Sequence, residues 1–254
     1  MPSAKVALIL AAGNGSRLAS ASHGGPKPLV ELNGKPLIEH VMLGARAAGI
    51  RRFEVVVGYR ANDIRMWAEA RRLDGVQIRL VENQDWQKKD NGSSVLKARN
   101  LIHEPFLLLM ADHVFEPANA AALVRESLVE DGAILAVDHK LRDIFDLDDA
   151  TKVLLSGRHV AEIGKNLEHY DAADTGMFLC SPNVFRWLEL ATKNENCSLS
   201  DGMRLMARNR RLRAFDIGDG LWQDVDTPGA LANAELMFAE PPTSHGALPE
   251  FAFV

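Results

Sequence analysis

The chain has 254 residues, of which 47% are hydrophobic and 25% charged, and its formal net charge is −5. This length and apolar content suffice to bury the core of one α/β domain, and the negative charge argues against non-specific binding to nucleic acid, which depends on lysine and arginine. Because the longest apolar runs are far shorter than the roughly 18 residues that a membrane-spanning helix needs, we expect a cytoplasmic protein with no membrane segment.

Apolar runs typical of strands alternate along the chain with segments of helical periodicity. The predicted strands lie at 5–10, 53–57, 77–82, 106–110, 133–137, 152–155, 173–180 and 213–217. The predicted helices lie at 36–48, 61–72, 93–101, 117–129, 182–192, 199–209 and 228–239. This alternation predicts a Rossmann-like three-layer α/β/α sandwich with a mainly parallel mixed sheet. We predict a single domain over residues 1–240 and a C-terminal tail at 241–254, either disordered or docked on a neighbour.

A glycine-rich turn follows the first predicted strand. Gly13 and Gly15 allow the backbone to approach anionic oxygens closely. A dinucleotide fingerprint would need a third glycine near position 18, and a P-loop would need Gly-Lys-Ser/Thr; the sequence has neither pattern. What remains is Gly-x-Gly-x-Arg ending at Arg17 and Pro-Lys-Pro-Leu around Lys27, a set that suits a nucleoside triphosphate. The alternative is an ordinary connection with an exposed lysine.

A family resemblance extends from these motifs over residues 5–238. Leu-Ala-Ala-Gly-x-Gly-x-Arg-Leu at 10–18 with Pro-Lys-Pro-Leu at 26–29 resembles the signature of the sugar-phosphate nucleotidyltransferases. Further segments resemble the CTP:inositol-1-phosphate cytidylyltransferases: 110–115, 150–152, 160–165, 174–178 and 221–227. The resemblance implies the nucleotide-diphospho-sugar transferase fold, Mg²⁺ as the cofactor, and transfer of CMP from CTP to myo-inositol 1-phosphate, giving CDP-inositol and pyrophosphate.

Two cations are the candidate catalytic groups on the phosphate side. Such a transfer brings two polyanions together, so catalysis consists of alignment and charge stabilisation, and no covalent nucleophile is required. We assign Lys27, a movable point charge, to the α-phosphate. Arg17, whose guanidinium can bind two phosphate oxygens at once, is assigned to the departing β- and γ-phosphates. The alternative for Lys27 is a solvated surface lysine.

Two aspartates are the candidate metal ligands and complete the catalytic set, since magnesium is usually held by one or two carboxylates. Asp112 follows the buried strand at 106–110, where a carboxylate is costly unless it meets a cation or hydrogen-bond donors. By resemblance, Asp226 matches the second metal-binding aspartate of the family, with Asp224 as a supporting partner. The alternative for Asp226 is a cap on the following helix, a role that Thr227 can also fill.

The predicted nucleotide site combines the glycine turn with a second segment near position 91. Base recognition is assigned to Asn91 and its neighbours, because asparagine offers the donor and acceptor that the edge of cytosine requires. The predicted nucleotide-binding residues are Leu10, Ala11, Ala12, Gly13, Asn14, Gly15, Ser16, Arg17, Lys27, Asn83, Asn91, Gly92, Ser93 and Asp112. The alternative is that Asn91 or Ser93 caps the helix that follows. Inositol cytidylyltransferases often carry an aromatic residue where Ser93 stands, so the wall around the base or the acceptor is expected to differ.

The predicted acceptor site consists of Lys152, Glu162, Lys165 and Asp174. Lys165 can pair with the acceptor phosphate, with Lys152 as a second candidate, and the carboxylates can accept hydrogen bonds from ring hydroxyls. The alternative is a surface salt bridge among these charges. His113 has no second histidine or cysteine at zinc spacing, and we interpret it as a packing or hydrogen-bonding residue.

Other functions and partners stay open at this stage. The enzyme alternatives use another acceptor: phosphocholine, an aminoalkyl phosphonate, or a hexose 1-phosphate with UTP or GTP. The non-enzyme alternative is a nucleotide-sensing subunit, although the intact catalytic set argues against it. The expected partners are CTP and a phosphorylated alcohol or sugar, with no nucleic acid. We also expect a homodimer and, because the fused phosphotransferase common among inositol cytidylyltransferases is not in this chain, passage of the product to a separate CDP-alcohol phosphotransferase.

Overall fold

The computed structural model describes residues 4–18, 24–71 and 75–239. The described strands are β1 (Val6–Ala11), β2 (Glu31–Leu32), β3 (Lys35–Pro36), β4 (Arg52–Val57), β5 (Gln77–Glu82), β6 (Phe106–Met110), β7 (His113–Phe115), β8 (Ala133–Asp138), β9 (Lys152–Ser156), β10 (His159–Gly164), β11 (Ala172–Cys180), β12 (Leu212–Asp216) and β13 (Trp222–Asp224). The described helices are α1 (Leu37–Ala47), α2 (Ala61–Ala70), α3 (Asn91–Leu96), α4 (Pro117–Leu123), α5 (Val184–Ala191), α6 (Leu199–Arg208) and α7 (Pro228–Met237).

In the described part of the chain, nine strands form one mixed sheet in the order β5-β4-β1-β6-β11-β8-β12-β10-β9. The pairs β5–β4, β4–β1, β1–β6 and β8–β12 are parallel. Among these nine, β10 and β11 run against the other strands. The mainly parallel mixed sheet predicted from the sequence is therefore confirmed.

Each face of the sheet is covered by helices, which completes the predicted three layers. Ala7 and Ile9 of β1 face a core built with α1, α2 and α4. Val6 and Leu8 face the opposite core, built with α3, α5 and α6. The continuous apolar run of β1 follows from this position, because a strand buried on both faces needs apolar side chains in both directions.

The carboxyl ends of β1 and β6 lie side by side, since these strands pair in parallel with Leu10 opposite Met110. The glycine turn after β1 and Asp112 after β6 therefore open onto the same crevice, as predicted. A second pairing completes this edge. Asp224 of β13 lies opposite His113 of β7, and the Val225 N–H donates to the Asp112 carbonyl at 2.9 Å.

Two predicted helices continue beyond their α-helical part as tighter turns. After Leu96 the backbone hydrogen bonds run from residue i to i−3 as far as Leu101, and after Val124 the same change appears at Arg125 and Glu126. The apolar periodicity thus extends further than the α-helical hydrogen bonding. β10, which pairs with β9, was not predicted because its charged and polar residues break the apolar run.

No helix among the described residues is long and apolar enough to cross a membrane. The predicted tail at 241–254 lies outside the described residues, and the single-domain boundary stays a prediction.

Candidate active site

The crevice is organised around the buried ammonium group of Lys27. This residue begins a single 3-10 turn, Lys27–Leu29, and its side chain is 6% exposed. Its Nζ lies 2.5 Å from Asp112 Oδ2, hydrogen-bonds to Asp226, and lies 3.9 Å from Asp224 Oδ1. One cation is thus shared among three carboxylates.

Gly15 is required for this arrangement. It has a φ of +57°, and a Cβ on it would lie 2.4 Å from the Cβ of Lys27. Only glycine allows both the left-handed backbone and the close passage of the lysine side chain. The glycine turn therefore places the lysine.

Gly15→Ala is expected to lower kcat/KM by about 10²-fold, because the added methyl displaces Lys27 and a shift of about 1 Å can cost that much. Gly34→Ala is the matched control: Gly34 has a φ of +78° with no atom within 4 Å of an added Cβ. Both variants carry a strain of roughly 1–2 kcal/mol, measurable by denaturant unfolding. Equal activity in the two variants would contradict the proposed role of Gly15.

Arg17 connects the crevice to the loop after β8. Its guanidinium hydrogen-bonds to Asp226 and, at 2.6 Å, to Asp149. Asp149 also accepts a hydrogen bond from Lys165 Nζ at 2.7 Å. The Asp149 carboxylate therefore bridges the cation predicted for the triphosphate and the one predicted for the acceptor.

The charges at the centre of the site are fixed by their neighbours. Burial alone would lower the pKa of Lys27, but Asp112, Asp224 and Asp226 raise it above its usual value. Burial would raise the pKa of Asp112, yet Lys27 and His113 hold it well below its usual range. Both groups are therefore ionised at neutral pH.

His113 is a hydrogen-bonding and stacking residue, in agreement with the sequence interpretation. Its Nδ1 lies 2.8 Å from Asp112 Oδ1, and its ring stacks on Trp222 with centroids 6.1 Å apart. Burial lowers its pKa, but Asp224 and Asp112 outweigh burial and raise it to about 9.

A group that could hold a metal ion lies at this point. Ligand atoms of Asp112, His113 and Asp224 all lie within 4.8 Å of one another. Among the described residues, Asp224 Oδ1 has no hydrogen-bond partner although it is buried. Burial is the largest cause that raises the pKa of Asp224 to about 6, and the neighbouring carboxylates Asp112 and Asp226 also raise it. An unpaired carboxylate oxygen beside a second carboxylate fits a divalent cation that prefers oxygen ligands.

Two cavities meet at Asp226, which lines both of them. The first, which we call the phosphate cradle after the ligand predicted for it from the sequence, encloses about 230 Å³ beside the glycine turn. Its lining includes these predicted nucleotide-binding residues: Leu10, Ala11, Gly13, Asn14, Gly15, Ser16, Arg17, Lys27 and Asp112. The second encloses about 240 Å³ and is lined by Lys165, Asp174 and Asn91, among others. We call it the acceptor cavity because Lys165 and Asp174 are predicted acceptor residues.

Several residues of the predicted nucleotide site line neither cavity and have other contacts. The Asn83 amide donates to Ser94 Oγ at 2.9 Å and accepts from the Asp85 N–H at 3.0 Å. Ser93 Oγ donates to the Asp90 carbonyl at 2.6 Å. The Ala12 carbonyl accepts from the Tyr59 N–H at 3.0 Å. A Cβ on Gly92 would meet the carbonyl of Cys197 at 2.7 Å.

The capping alternatives are resolved by hydrogen bonds. Asn91 does not cap the helix that it begins; its Oδ1 accepts from the Leu199 N–H at 2.8 Å, at the start of α6. Thr227 caps α7 by accepting from the Ala230 N–H at 3.1 Å. Asp226 is therefore not needed as a cap.

The structure does not bring the other two predicted acceptor residues to the acceptor cavity. Lys152 is buried, and its Nζ donates to the Asp148 carbonyl at 2.6 Å. Glu162 is exposed on β10. Asp149 and Trp222, which do line the cavity, were not assigned to the acceptor site. The only sequence signal for Asp149 is the acidic run at 146–149, directly before the Ala-Thr-Lys segment.

Comparison with known proteins places this site in a family. A family model described as the MobA-like NTP transferase domain matches residues 7–189, more than half of the chain. The chain belongs to the MobA-like NTP transferase family. This membership confirms the nucleotidyltransferase resemblance seen in the sequence.

Two named proteins are similar to this MobA-like NTP transferase over most of its length. The Bifunctional IPC transferase and DIPP synthase of Rubrobacter xylanophilus is 38% identical over 234 residues, covering 91% of this chain and 51% of the relative. The chain thus spans about half the length of that relative. The solved inositol-1-phosphate CTP transferase from T. maritima matches with a TM-score of 0.81 and 28% identity, covering 93% of this chain and 96% of that one.

A third relative has a name that describes a different product. The CMP-5'-(3-aminopropyl)phosphonate synthase of Streptomyces rubellomurinus is 30% identical over 250 residues, covering 92% of this chain and 39% of the relative. The relatives thus match most of this chain, while their names describe different reactions.

Proposed function

We propose that this chain transfers CMP from CTP to myo-inositol 1-phosphate, giving CDP-inositol and pyrophosphate. The observation that carries the proposal is the position of Asp226, which lines both cavities and binds Lys27 and Arg17. A charged cluster between two substrate-sized cavities suits a reaction in which a group passes from one phosphate to another. The names of the Rubrobacter and T. maritima proteins favour CTP and inositol phosphate.

The phosphate cradle would bind the triphosphate of CTP. No atom lies within 4 Å of a Cβ built on Gly13, so the backbone there has room for phosphate oxygens. Lys27 faces the α-phosphate and Arg17 the β- and γ-phosphates. Asp112 and Asp226, together with Asp224, would hold Mg²⁺, and the ion would supply charge neutralisation and alignment of the phosphates.

The reaction needs no group of the protein to form a covalent bond. An oxygen of the acceptor phosphate forms a bond with the α-phosphorus, the bond from that phosphorus to the β-phosphate oxygen breaks, and pyrophosphate leaves with the electron pair. Lys27 is buried, its neighbouring carboxylates keep its pKa above the usual value, and it stabilises the negative charge that develops between the two phosphates.

The acceptor cavity would bind inositol 1-phosphate. Lys165, with a side chain 55% exposed at the rim, pairs with the acceptor phosphate. Asp174 accepts hydrogen bonds from ring hydroxyls, and its own Oδ1 is oriented by the Gly176 N–H at 2.8 Å. Asn91 lies on the same lining and offers both a donor and an acceptor.

Acceptor binding is expected to weaken as the pH falls through about 6. Burial raises the pKa of Asp174 to about 6, with the Gly176 N–H and His113 partly opposing it. Because the ionised form accepts the hydroxyl hydrogen bonds and exists above that pKa, the KM for the acceptor should rise about tenfold per pH unit below it. Initial rates at saturating CTP and Mg²⁺, with the acceptor concentration varied at each pH, measure this KM.

The control for that titration is Asp174→Asn. Its acceptor KM should be raised at neutral pH and should rise less steeply between pH 7 and pH 5 than that of the wild type, because only Asp224 and the acceptor phosphate still titrate there. An equally steep pH dependence in Asp174→Asn and in the wild type would contradict the assignment of Asp174.

An aminoalkyl phosphonate is the second candidate acceptor. The phosphonate synthase relative supports it, and so does the charge of the acceptor cavity, where aspartates outnumber lysines. The aspartates are Asp138, Asp143, Asp146, Asp149, Asp174, Asp224 and Asp226; the lysines are Lys140 and Lys165. Such a lining suits an ammonium group as well as hydroxyls.

A substrate panel tests the proposal. Pyrophosphate release is measured with CTP, UTP, GTP or ATP against inositol 1-phosphate, an aminoalkyl phosphonate, phosphocholine or glucose 1-phosphate, all with Mg²⁺. Thermal shifts in the same wells report binding, since a ligand of the folded state raises the midpoint. We expect turnover to be highest with CTP and inositol 1-phosphate. Faster turnover with another pair would overturn the substrate assignment, and binding of CTP without turnover would favour a nucleotide-sensing subunit.

We further propose a cytoplasmic homodimer that passes CDP-inositol to a separate CDP-alcohol phosphotransferase. These statements stay predictions from the sequence. Size-exclusion chromatography with light scattering measures the oligomeric state, and a monomer at micromolar concentration would contradict the dimer.

A further inference from the structure

The imidazole of His113 is held on three sides. Its Nδ1 lies 2.8 Å from Asp112 Oδ1 and 3.7 Å from Asp224 Oδ1. One face of the ring stacks on Trp222, at an interplanar angle of 19°. Its Cδ2–Nε2 edge lies against Gly176, where an added Cβ would be 2.4 Å from Cδ2 and 3.0 Å from Nε2. A side chain constrained in this way has one orientation available.

The supports around the ring are themselves fixed. Gly176 lies in β11 with a φ of +76°, at an irregularity of the β11–β8 register that brings its backbone close to the ring. The Trp222 indole N–H donates to Asp138 Oδ2 at 2.8 Å. Asp138 Oδ1 in turn accepts a hydrogen bond from Lys140 Nζ at 2.8 Å. The residue Asp138 is only 3% exposed. The histidine thus stacks on a tryptophan that is itself bonded to a buried carboxylate.

Neither ring nitrogen is placed as a metal ligand. A carboxylate only accepts hydrogen bonds, so Nδ1 must carry the proton that it shares with Asp112. Nε2 faces the backbone of Gly176. Although His113 belongs to the cluster that could hold a metal, its contacts direct it toward the carboxylates instead.

The two oxygens of Asp112 have different donors. Oδ1 accepts from His113 and Oδ2 from Lys27, so the plane of the carboxylate is fixed at both ends. Asp224 Oδ1 lies 3.7 Å from the same Nδ1 and has no hydrogen-bond partner among the described residues. The imidazole N–H is therefore close to both carboxylates.

We propose that His113 is a positioning residue that holds Asp112 and Asp224 at the spacing in which both bind one divalent cation. This inference rests on the metal site of the proposed function. Partners that orient metal ligands typically change metal affinity by about 10–100-fold when they are removed. His113 acts through Asp112 and Asp224 and does not touch the metal or the substrates.

Direct binding of Mn²⁺, followed by electron paramagnetic resonance, tests this without turnover. His113→Leu should weaken Mn²⁺ binding by about 10–100-fold and raise the half-saturating Mg²⁺ concentration in the assay by a similar factor. His113→Asn, whose amide N–H can replace the Nδ1 donor, should restore affinity to within about threefold of wild type. His139→Leu is the matched control, because His139 bonds to the Asp171 carbonyl on the surface.

A variant that leaves the imidazole in place gives an independent measurement. The added methyl of Gly176→Ala would displace the His113 ring from its contact with residue 176 and should weaken Mn²⁺ binding as much as His113→Leu does. Circular dichroism and thermal melting of each variant identify any loss of fold. If Gly176→Ala does not fold, the comparison of His113→Leu with His113→Asn still tests the positioning role of His113.

The possible outcomes separate this inference from the proposed function. Wild-type Mn²⁺ affinity in His113→Leu overturns the positioning role. Equal losses in His113→Leu and His113→Asn also overturn it, in favour of direct ligation by the ring. Asp112→Asn serves as the reference: if it binds Mn²⁺ like wild type, the metal site of the proposed function fails as well.

Discussion

Replacing Lys27 by methionine is expected to lower kcat/KM by about 10³-fold, equivalent to about 4 kcal/mol of transition-state stabilisation. Methionine keeps an unbranched side chain and can pass Gly15, but it removes the charge that we propose faces the α-phosphate. It also leaves Asp112, Asp224 and Asp226 without their shared cation. The repulsion among the three carboxylates then opposes the binding of a polyanion.

Steady-state rates with CTP and inositol 1-phosphate measure this effect. Lys35→Met is the matched control, since Lys35 lies on β3 outside both cavities. The control should keep its activity, and thermal melting should show that Lys27→Met is folded. A folded Lys27→Met enzyme with activity within about tenfold of wild type would contradict the assigned role.

The second large effect is expected from the aspartates assigned to the metal. Asp112→Asn and Asp226→Asn should each lower kcat/KM by about 10³-fold or more, because a neutral amide is a poor ligand for Mg²⁺ and no longer pairs with Lys27. Raising the Mg²⁺ concentration should recover only part of the activity. Asp216→Asn is the matched control, since its exposed carboxylate accepts from the Gly218 N–H at 2.8 Å.

The two aspartates should differ in one respect. Asp226 also pairs with Arg17, so Asp226→Asn is expected to raise the KM for CTP more than Asp112→Asn does. Initial rates of each variant, measured at saturating Mg²⁺ over a range of CTP concentrations, give the two KM values to be compared. If neither variant changes the dependence on Mg²⁺, these carboxylates do not hold the metal.

Much of the fold could be predicted because its signals are local. The apolar run of β1 and the glycine turn after it are contiguous in sequence, and the rule that ligands bind at the carboxyl ends of parallel strands places Asp112 beside that turn. The same reasoning did not reveal β10, whose pattern mixes polar and apolar residues. Its strand conformation depends on pairing with β9 and on α6 packing over it.

The parts of the site that could not be predicted depend on contacts between distant segments. Asp149 lies 132 residues from Arg17 in sequence, and no local pattern indicates that it bridges Arg17 to Lys165. Asn83 was assigned to the nucleotide because asparagine can read a base edge, but its amide is engaged by Ser94 and Asp85. The residue type gives the hydrogen-bonding capacity, and only the fold determines which partner uses it.

The pairing of β7 with β13 has the largest consequence for the site. It joins segments more than 100 residues apart and brings Asp224 opposite His113, next to Asp112. Non-local pairings of short strands carry little signal in a single sequence. The sequence accordingly predicts only a supporting role for this third carboxylate, and the structure adds that it lies beside Asp112 with an unpaired oxygen among the described residues.

The most direct test of the account is phosphorus-31 NMR of one reaction mixture containing the protein, CTP, myo-inositol 1-phosphate and Mg²⁺. The account predicts that the two substrates disappear together while two coupled signals of an unsymmetrical diphosphate diester and the signal of inorganic pyrophosphate grow in equal molar amounts. Conversion of CTP to CMP or CDP with inositol 1-phosphate unchanged would contradict it, and so would the absence of any reaction by a folded protein that binds CTP.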